Sequence, residues 1–293
     1  MKLYTINTGY FKLDGGAMFG VVPKSIWNKL LPADENNLCN LAMRCLLIED
    51  EGKLILIDTG MGDKQDAKFF SYYYPYGDDS LIGNLAKNGF KPEDITDVVF
   101  THLHFDHCGG AIKRDGEQLV SVFPYAKFWS NKEHWQWAIH PNVREKASFF
   151  KENILPIEAS GRLKQVPFES SAITNGLLAS TPSTIINNLS FRFANGHTKA
   201  MMLPQFEYKG RTVVFMADLL PTAAHVPMPY VMGYDVNPLI TFEEKNSFWQ
   251  EAADNNYILI LEHDAVNECC TLYHTEKGIR VKEVFRLDEI GKY

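Results

Sequence analysis

No block of lysine or arginine occurs in this chain, and its formal net charge is −7. That excludes the basic stripe through which nucleic-acid binders neutralise phosphate, so no nucleic-acid partner is expected. No apolar run is long enough to cross a bilayer, and the N-terminal MKLYTINTGYFKLDGG holds none of signal-peptide length. A cytoplasmic chain with no membrane partner is the expectation. Cysteine is scarce and poorly arranged for crosslinking. Cys39, Cys45, Cys108, Cys269 and Cys270 form no CxxC pair, and an odd count with one adjacent pair points to reduced thiols. Internal repeats and low-complexity linkers are also lacking, which leaves residues 1–293 as one expected domain. At 45% hydrophobic and 22% charged, the chain can bury a sizeable core without staples.

What is present is a run of strand signals with helices interspersed. LAMRCLLIED and KLILIDTG read as a hairpin around Glu51-Gly52. DSLIGNLAKNGF has helical spacing, with Asp79 or Ser80 as its cap and Asn88-Gly89 as its stop. KPEDITDVVFTH begins as a proline-led turn and ends in a buried strand at Val98–Phe100, and AKFWSNKEHWQWA reads as a strand, then a helix capped near Asn131. HWQWAIH, with His134 and His140, reads as an ordinary amphipathic helix. Further on, LSFRFANGHT and AMMLPQFEYKGRTVVFMADLL alternate like antiparallel strands turning at Lys209-Gly210. ITFEEKNSFWQEAADNN is helical, YILILEHD is a buried strand, and a hairpin around Lys277-Gly278 closes the chain. Without clean βαβ alternation, this pattern predicts an α/β (α+β) fold: a sheet sandwich with helices on its outer faces.

One stretch stands apart. THLHFDHCGG sets His102, His104, Asp106 and His107 within six positions directly after an apolar strand. Such density has no packing rationale, because burying these groups without partners is costly. Neutral imidazoles and carboxylates suit Zn, Fe, Mn or Co. His102 and His104 are placed to serve one ion, with Asp106 and His107 facing a second, while Gly109-Gly110 lets the backbone pass close by and start a helix. Four ligands from one loop cannot complete two sites. The ends of other apolar strands offer the rest: His197 after LSFRFANG, Asp218 after TVVFMA and His263 after YILILE. Asp58, in LILIDTG, is positioned to orient a histidine from behind.

These motifs resemble the metallo-β-lactamase-fold superfamily of hydrolases. THLHFDHCGG is similar to its HxHxDH hallmark, IDTG to the preceding Asp strand, and NGHT, MADLL and LEHD to its later ligand motifs, all in the family's order from about Asp58 to His263. The resemblance implies a four-layer αββα sandwich forming a single domain over 1–293. It implies two divalent ions, zinc foremost, with His102, His104 and His197 on one, Asp106, His107 and His263 on the other, and Asp218 bridging. A hydroxide shared by two such ions is a nucleophile at neutral pH, because metal binding brings the pKa of water from about 15.7 to about 7. Asp106 can hold that nucleophile and carry a proton.

ADLLPTAAHVPMPYVMGYD, residues 217–235, resembles the branch of quorum-quenching N-acyl-homoserine lactonases and methyl parathion hydrolase-like enzymes. The implied reaction is opening of a lactone. In that branch a Tyr three residues beyond the bridging Asp assists the carbonyl; here that position is Pro221. His225 is the candidate replacement contact, weighed against a structural role. KFFSYYYPYGDD, residues 68–79, offers either an aromatic wall for an apolar substrate arm or a packed element, a homodimer interface or a lid on the core. Met18, Phe19, Trp27 and Met228 admit the same readings, substrate wall or packing. The alternatives are a glyoxalase-II-like thioesterase, a phosphotriesterase, or a catalytically silent metal-binding sensor.

Overall fold

The computed structural model describes residues 1–168, 173–174, 177–178 and 180–292. The chain divides into two compact units: Met1–Phe11, Ala42–Phe168 and Thr184–Ile186 form the first, and Lys12–Leu41, Glu169–Ser183 and Asn187–Tyr293 the second. The mixed α/β class expected from the sequence is the one observed.

The first unit is built on most of β1 (Lys2–Asp14) and of β2 (Leu38–Asp50), with β3 (Lys53–Ile57), β4 (Asp97–Val99), β5 (Ile112–Asp115), β6 (Gln118–Ser121), β7 (Lys127–Asn131) and β8 (Leu163–Val166). Six of these make one sheet in the order β1-β2-β3-β4-β7-β8, and β5 pairs with β6. The β2–β3 hairpin turns on Glu51 and Gly52, both in the left-handed region (φ 50° and 73°), as a two-residue hairpin requires. β3, β4 and β7 then run parallel. Ile55, Leu56, Ile57, Val98, Val99 and Phe128 are all fully buried, the pattern of parallel strands covered on both faces. Their carboxyl ends share one edge, where open α/β sheets place their chemistry. Asp58 follows β3, the Thr101–His107 loop follows β4, and helix Lys132–Ile139 follows β7. Asn131 caps that helix, accepting from the His134 amide at 2.8 Å, and Ser80 caps Leu81–Lys87.

The second unit holds β9 (Ile173–Thr174), β10 (Leu177–Leu178), β11 (Thr181–Pro182), β12 (Leu189–Ala194), β13 (Met201–Tyr208), β14 (Arg211–Phe215), β15 (Ile258–Ile260), β16 (Cys269–Thr275) and β17 (Gly278–Phe285). β11 to β17 form a seven-stranded sheet in sequential order. It is antiparallel except where β14 meets β15, with helix Pro238–Asp254 as the crossover between them. Two antiparallel steps separate β12 from β14. Thus β12, β14 and β15 all point the same way and deliver His197, Asp218 and His263 to one edge.

One local expectation is corrected. A helix precedes the glycine pair rather than starting from it: Phe105–Cys108 is helical, and Gly109–Ala111 is a 3₁₀ turn. Both glycines are demanded by close approach, since a Cβ at Gly109 would strike the Met61 carbonyl and one at Gly110 the Thr59 carbonyl. Within the aromatic segment, Ala67–Tyr73 forms a helix capped by Asp66. All five cysteines are free and buried, and burial pushes the Cys108 thiol up to about 12, far from reactive. Among the described residues no helix is long and apolar enough to cross a membrane.

Candidate metal centre

In the first unit, four donors leave β4 within one turn. His102, His104, Asp106 and His107 are all buried. Behind them lies Asp58, fully buried and in left-handed backbone (φ 58°), a conformation that Asp tolerates better than most residues. Its Oδ1 accepts the Thr101 amide at 2.8 Å, and its Oδ2 accepts the Thr101 hydroxyl at 2.6 Å. His107 Nδ1 reaches the same Oδ2 at 3.0 Å.

This network fixes two histidine tautomers. Thr101 has one hydroxyl proton, and Asp58 takes it. Toward His102 Nδ1, 3.1 Å away, the hydroxyl can only accept, so that nitrogen carries the proton. The Nε2 lone pair of His102 therefore points outward, 3.0 Å from His104 Nδ1. By the same logic His107 donates from Nδ1 to Asp58, and its Nε2 faces Asp106 at 3.9 Å. One buried carboxylate orients two imidazoles, an arrangement that would keep histidines in register for a metal. Thr101→Val keeps the shape and removes the proton relay. It is expected to weaken metal binding about ten- to a hundredfold, measured by competition with a chromophoric chelator.

His134 belongs to this centre as well, although its helix reads from sequence as ordinary. Its ring is fully buried, and Nε2 accepts the Leu103 amide at 2.8 Å. Cys108 Sγ holds the Leu103 carbonyl from the other side at 3.3 Å. Both polar groups of the residue between the first two histidines are thereby pinned. His140, by contrast, is exposed.

The second unit contributes an unusual carboxylate. Asp218 Oδ2 lies 3.1 Å from His197 Nε2, and its Oδ1 lies 3.0 Å from His263 Nε2. Asp235 sits 2.9 Å from His197 Nδ1 and takes the proton there. The His197 Nε2 lone pair then faces a carboxylate oxygen, a pair of acceptors that repel unless positive charge joins them. One carboxylate presenting a separate oxygen to each of two imidazoles fits a bridge between two cations. The donor sets in both units suit divalent metal.

His225 is held differently. Its Nε2 donates to the Met18 carbonyl at 2.9 Å, leaving Nδ1 to accept from Thr222 at 2.8 Å. The ring is buried and stacked on Phe19, which stacks in turn on Trp27. Both nitrogens are thus engaged within the unit, which favours the structural role over the substrate contact. Met18, Phe19 and Trp27 are core residues, while Met228 is half-buried. Burial drops the His225 pKa to about 3. An unfolded His takes its proton near 6.5 but the folded one does not, so acid favours unfolding throughout that interval. Between pH 7 and 5, wild type is expected to lose about 2 kcal/mol more unfolding free energy than His225→Phe, measured by urea denaturation.

A family model described as the metallo-beta-lactamase superfamily matches residues 44–256, more than half of the chain. The chain belongs to the metallo-beta-lactamase superfamily. Within it, the chain is 34% identical over 156 residues to an N-acyl homoserine lactonase of Bacillus cereus, covering 50% of this chain and 58% of that protein. It is 28% identical over 165 residues to an N-acyl homoserine lactonase of Bacillus thuringiensis, covering 53% and 56%. The match thus spans little more than half the length of these relatives. Among solved structures, a probable metal-dependent hydrolase from Staphylococcus aureus is similar with a TM-score of 0.81 and 27% identity, covering 97% of this chain and 96% of that one. AidC, a dizinc quorum-quenching lactonase in complex with a product, gives 0.75 at 21% identity over 97% and 95%, a likeness of fold alone.

Proposed function

We propose that this metallo-beta-lactamase-superfamily chain is a metal-dependent hydrolase that opens lactones of the N-acyl-homoserine type with two divalent ions. The observation that carries this reading is the Asp218 carboxylate, each of whose oxygens meets a different imidazole Nε2. In it, His102, His104 and His197 hold one ion, Asp106, His107 and His263 hold the other, and Asp218 bridges, within one domain spanning 1–293. The family match runs over residues 44–256 and so through six of these seven residues, all but His263, which supports the set to that extent. When bound, two such ions activate water at neutral pH and polarise a carbonyl.

The chain's own residues do the rest. Thr101 and Asp58 hold His102 and His107 in the tautomers that present Nε2, and Asp235 does the same for His197. Asp106, in the first turn of Phe105–Cys108, is the carboxylate proposed to pass a proton to the ring oxygen as it leaves. An apolar arm has a surface ready in the first unit. Phe69 and Tyr73 pack on Phe105 at 5.1 and 4.7 Å, and Phe150 closes the cluster. Tyr72, Tyr74 and Tyr76 stay exposed, and a second copy of the chain is proposed to cover them. A panel of short- and long-chain acyl homoserine lactones, a glutathione thioester, a phosphotriester and a β-lactam tests the reading. Lactones should give the highest kcat/KM, rising with acyl length. Preference for the thioester or phosphotriester would replace the lactone assignment while keeping the hydrolase, and no turnover of any would favour a silent sensor.

A further inference from the structure

Helix Pro238–Asp254 carries two neighbouring charges deep inside the second unit. Glu244 is 0% exposed and Lys245 is 1%. Burying an ion is costly, and a side chain retained for stability alone would do better apolar. The cost is visible in both groups: burial raises Glu244 to about 7 and lowers Lys245 to about 7. What each holds is backbone. Glu244 accepts the amides of Asn195 and Gly196 at 2.6 and 3.1 Å, on the turn that presents His197. Lys245 donates to the carbonyls of His225 and Tyr230 at 2.8 Å each and to Pro227 at 3.4 Å. Trp249, one turn further along, donates to the Val226 carbonyl at 2.9 Å.

The two grips act on different segments. The helix start is stitched to the His197 turn, with the Asn237 amide on the Gly196 carbonyl at 2.8 Å and the Val236 amide on the His197 carbonyl at 3.1 Å. A Cβ at Gly196 would strike Thr241, so the turn lies hard against the helix. Residues 225–230 instead form a loop beyond Asp218 with little regular structure of its own. The chain leading into it is tied to the His263 turn: the His263 amide donates to the Pro221 carbonyl at 3.1 Å and the Ala223 amide to Asp264 Oδ2 at 3.0 Å. Three carbonyls converging on one ammonium give that loop a single shape. A neutral or apolar residue cannot satisfy all three, since an ammonium brings three donors and no acceptor.

We propose that Lys245 is a positioning residue that fixes the 225–230 loop as a wall for the substrate, while its neighbour Glu244 positions the His197 turn. This rests on the hydrolase reading given above. The division of labour makes the two substitutions behave differently. Lys245→Met should raise KM about tenfold on the best substrate, with kcat per metal-loaded chain changed by less than about twofold, because substrate binding loosens while the metal ligands stay. Amide hydrogen exchange across 225–231 should quicken by about tenfold or more in the same variant. Glu244→Gln should leave KM near the wild-type value and weaken metal binding about tenfold by chelator competition.

Lys245→Gln, which keeps two amide donors, should fall between wild type and Met, and it stands in if the Met variant does not fold. A variant that merely destabilises lowers kcat through loss of folded chains and leaves KM alone. That result, or exchange across 225–231 as slow as in wild type, overturns the assignment. A wild-type protein with no lactone turnover defeats only the lactone reading. The exchange measurement then still decides for or against Lys245, with KM taken on whichever panel substrate is hydrolysed.

Discussion

Asp218→Ala should lower kcat/KM on a lactone by about a thousandfold or more, equivalent to about 4 kcal/mol of lost transition-state stabilisation. The size follows from the geometry. Asp218 Oδ1 and Oδ2 meet His263 and His197 separately, so one truncation would remove a donor from both proposed ions together with the negative charge between the two imidazoles. Asp218→Asn is the informative companion. It keeps the shape and one carbonyl oxygen but loses the charge and the second acceptor, so one ion should be held and the other lost. Steady-state rates with metal analysis of the same samples separate these cases. A loss under tenfold in the Ala variant, with full metal content, would remove Asp218 from the centre.

Asp58→Ala should be the most destabilising single change near the loop, by roughly 3–5 kcal/mol in the metal-free protein. It strips the acceptor from the Thr101 amide, the Thr101 hydroxyl and His107 Nδ1 in a site with no solvent access. Each buried donor left without a partner costs about 1–3 kcal/mol, and neighbouring losses fall short of additive. Part of the effect comes from the left-handed backbone at Asp58, which alanine adopts less readily. Asp58→Asn separates the two contributions, because Asn accepts that backbone and keeps one acceptor oxygen. Urea unfolding is the measurement, and an Ala variant within about 1 kcal/mol of wild type would show that the network is not a structural support.

The proposed donors are legible in the sequence because each sits at the end of an apolar strand, and within each unit strand direction brings such ends to one edge. His102, His104, Asp106 and His107 announce themselves by density, and His197, Asp218 and His263 by position. What supports them was not legible. The relay from His102 through Thr101 to Asp58 depends on counting one hydroxyl proton among two neighbours, which no spacing encodes. His134 reads as one polar position in an amphipathic helix. Only the pairing of β4 with β7 sets its ring beneath Leu103. His225 finds its partner at Met18, 207 residues away, so its structural bond could not be weighed against a substrate contact. The helix Phe105–Cys108 ends where the sequence suggests a start, since a glycine pair reads as a helix start and here marks backbone crowding against Thr59 and Met61.

Activity as a function of added metal tests the central claim most directly. Protein stripped by chelator and titrated with zinc should be inactive on an acyl homoserine lactone at the outset. It should gain activity with added ion, level off at two equivalents per chain, and lose it again on chelation. A plateau at one equivalent, or turnover by stripped protein that no chelator abolishes, would contradict a two-ion centre built on Asp218.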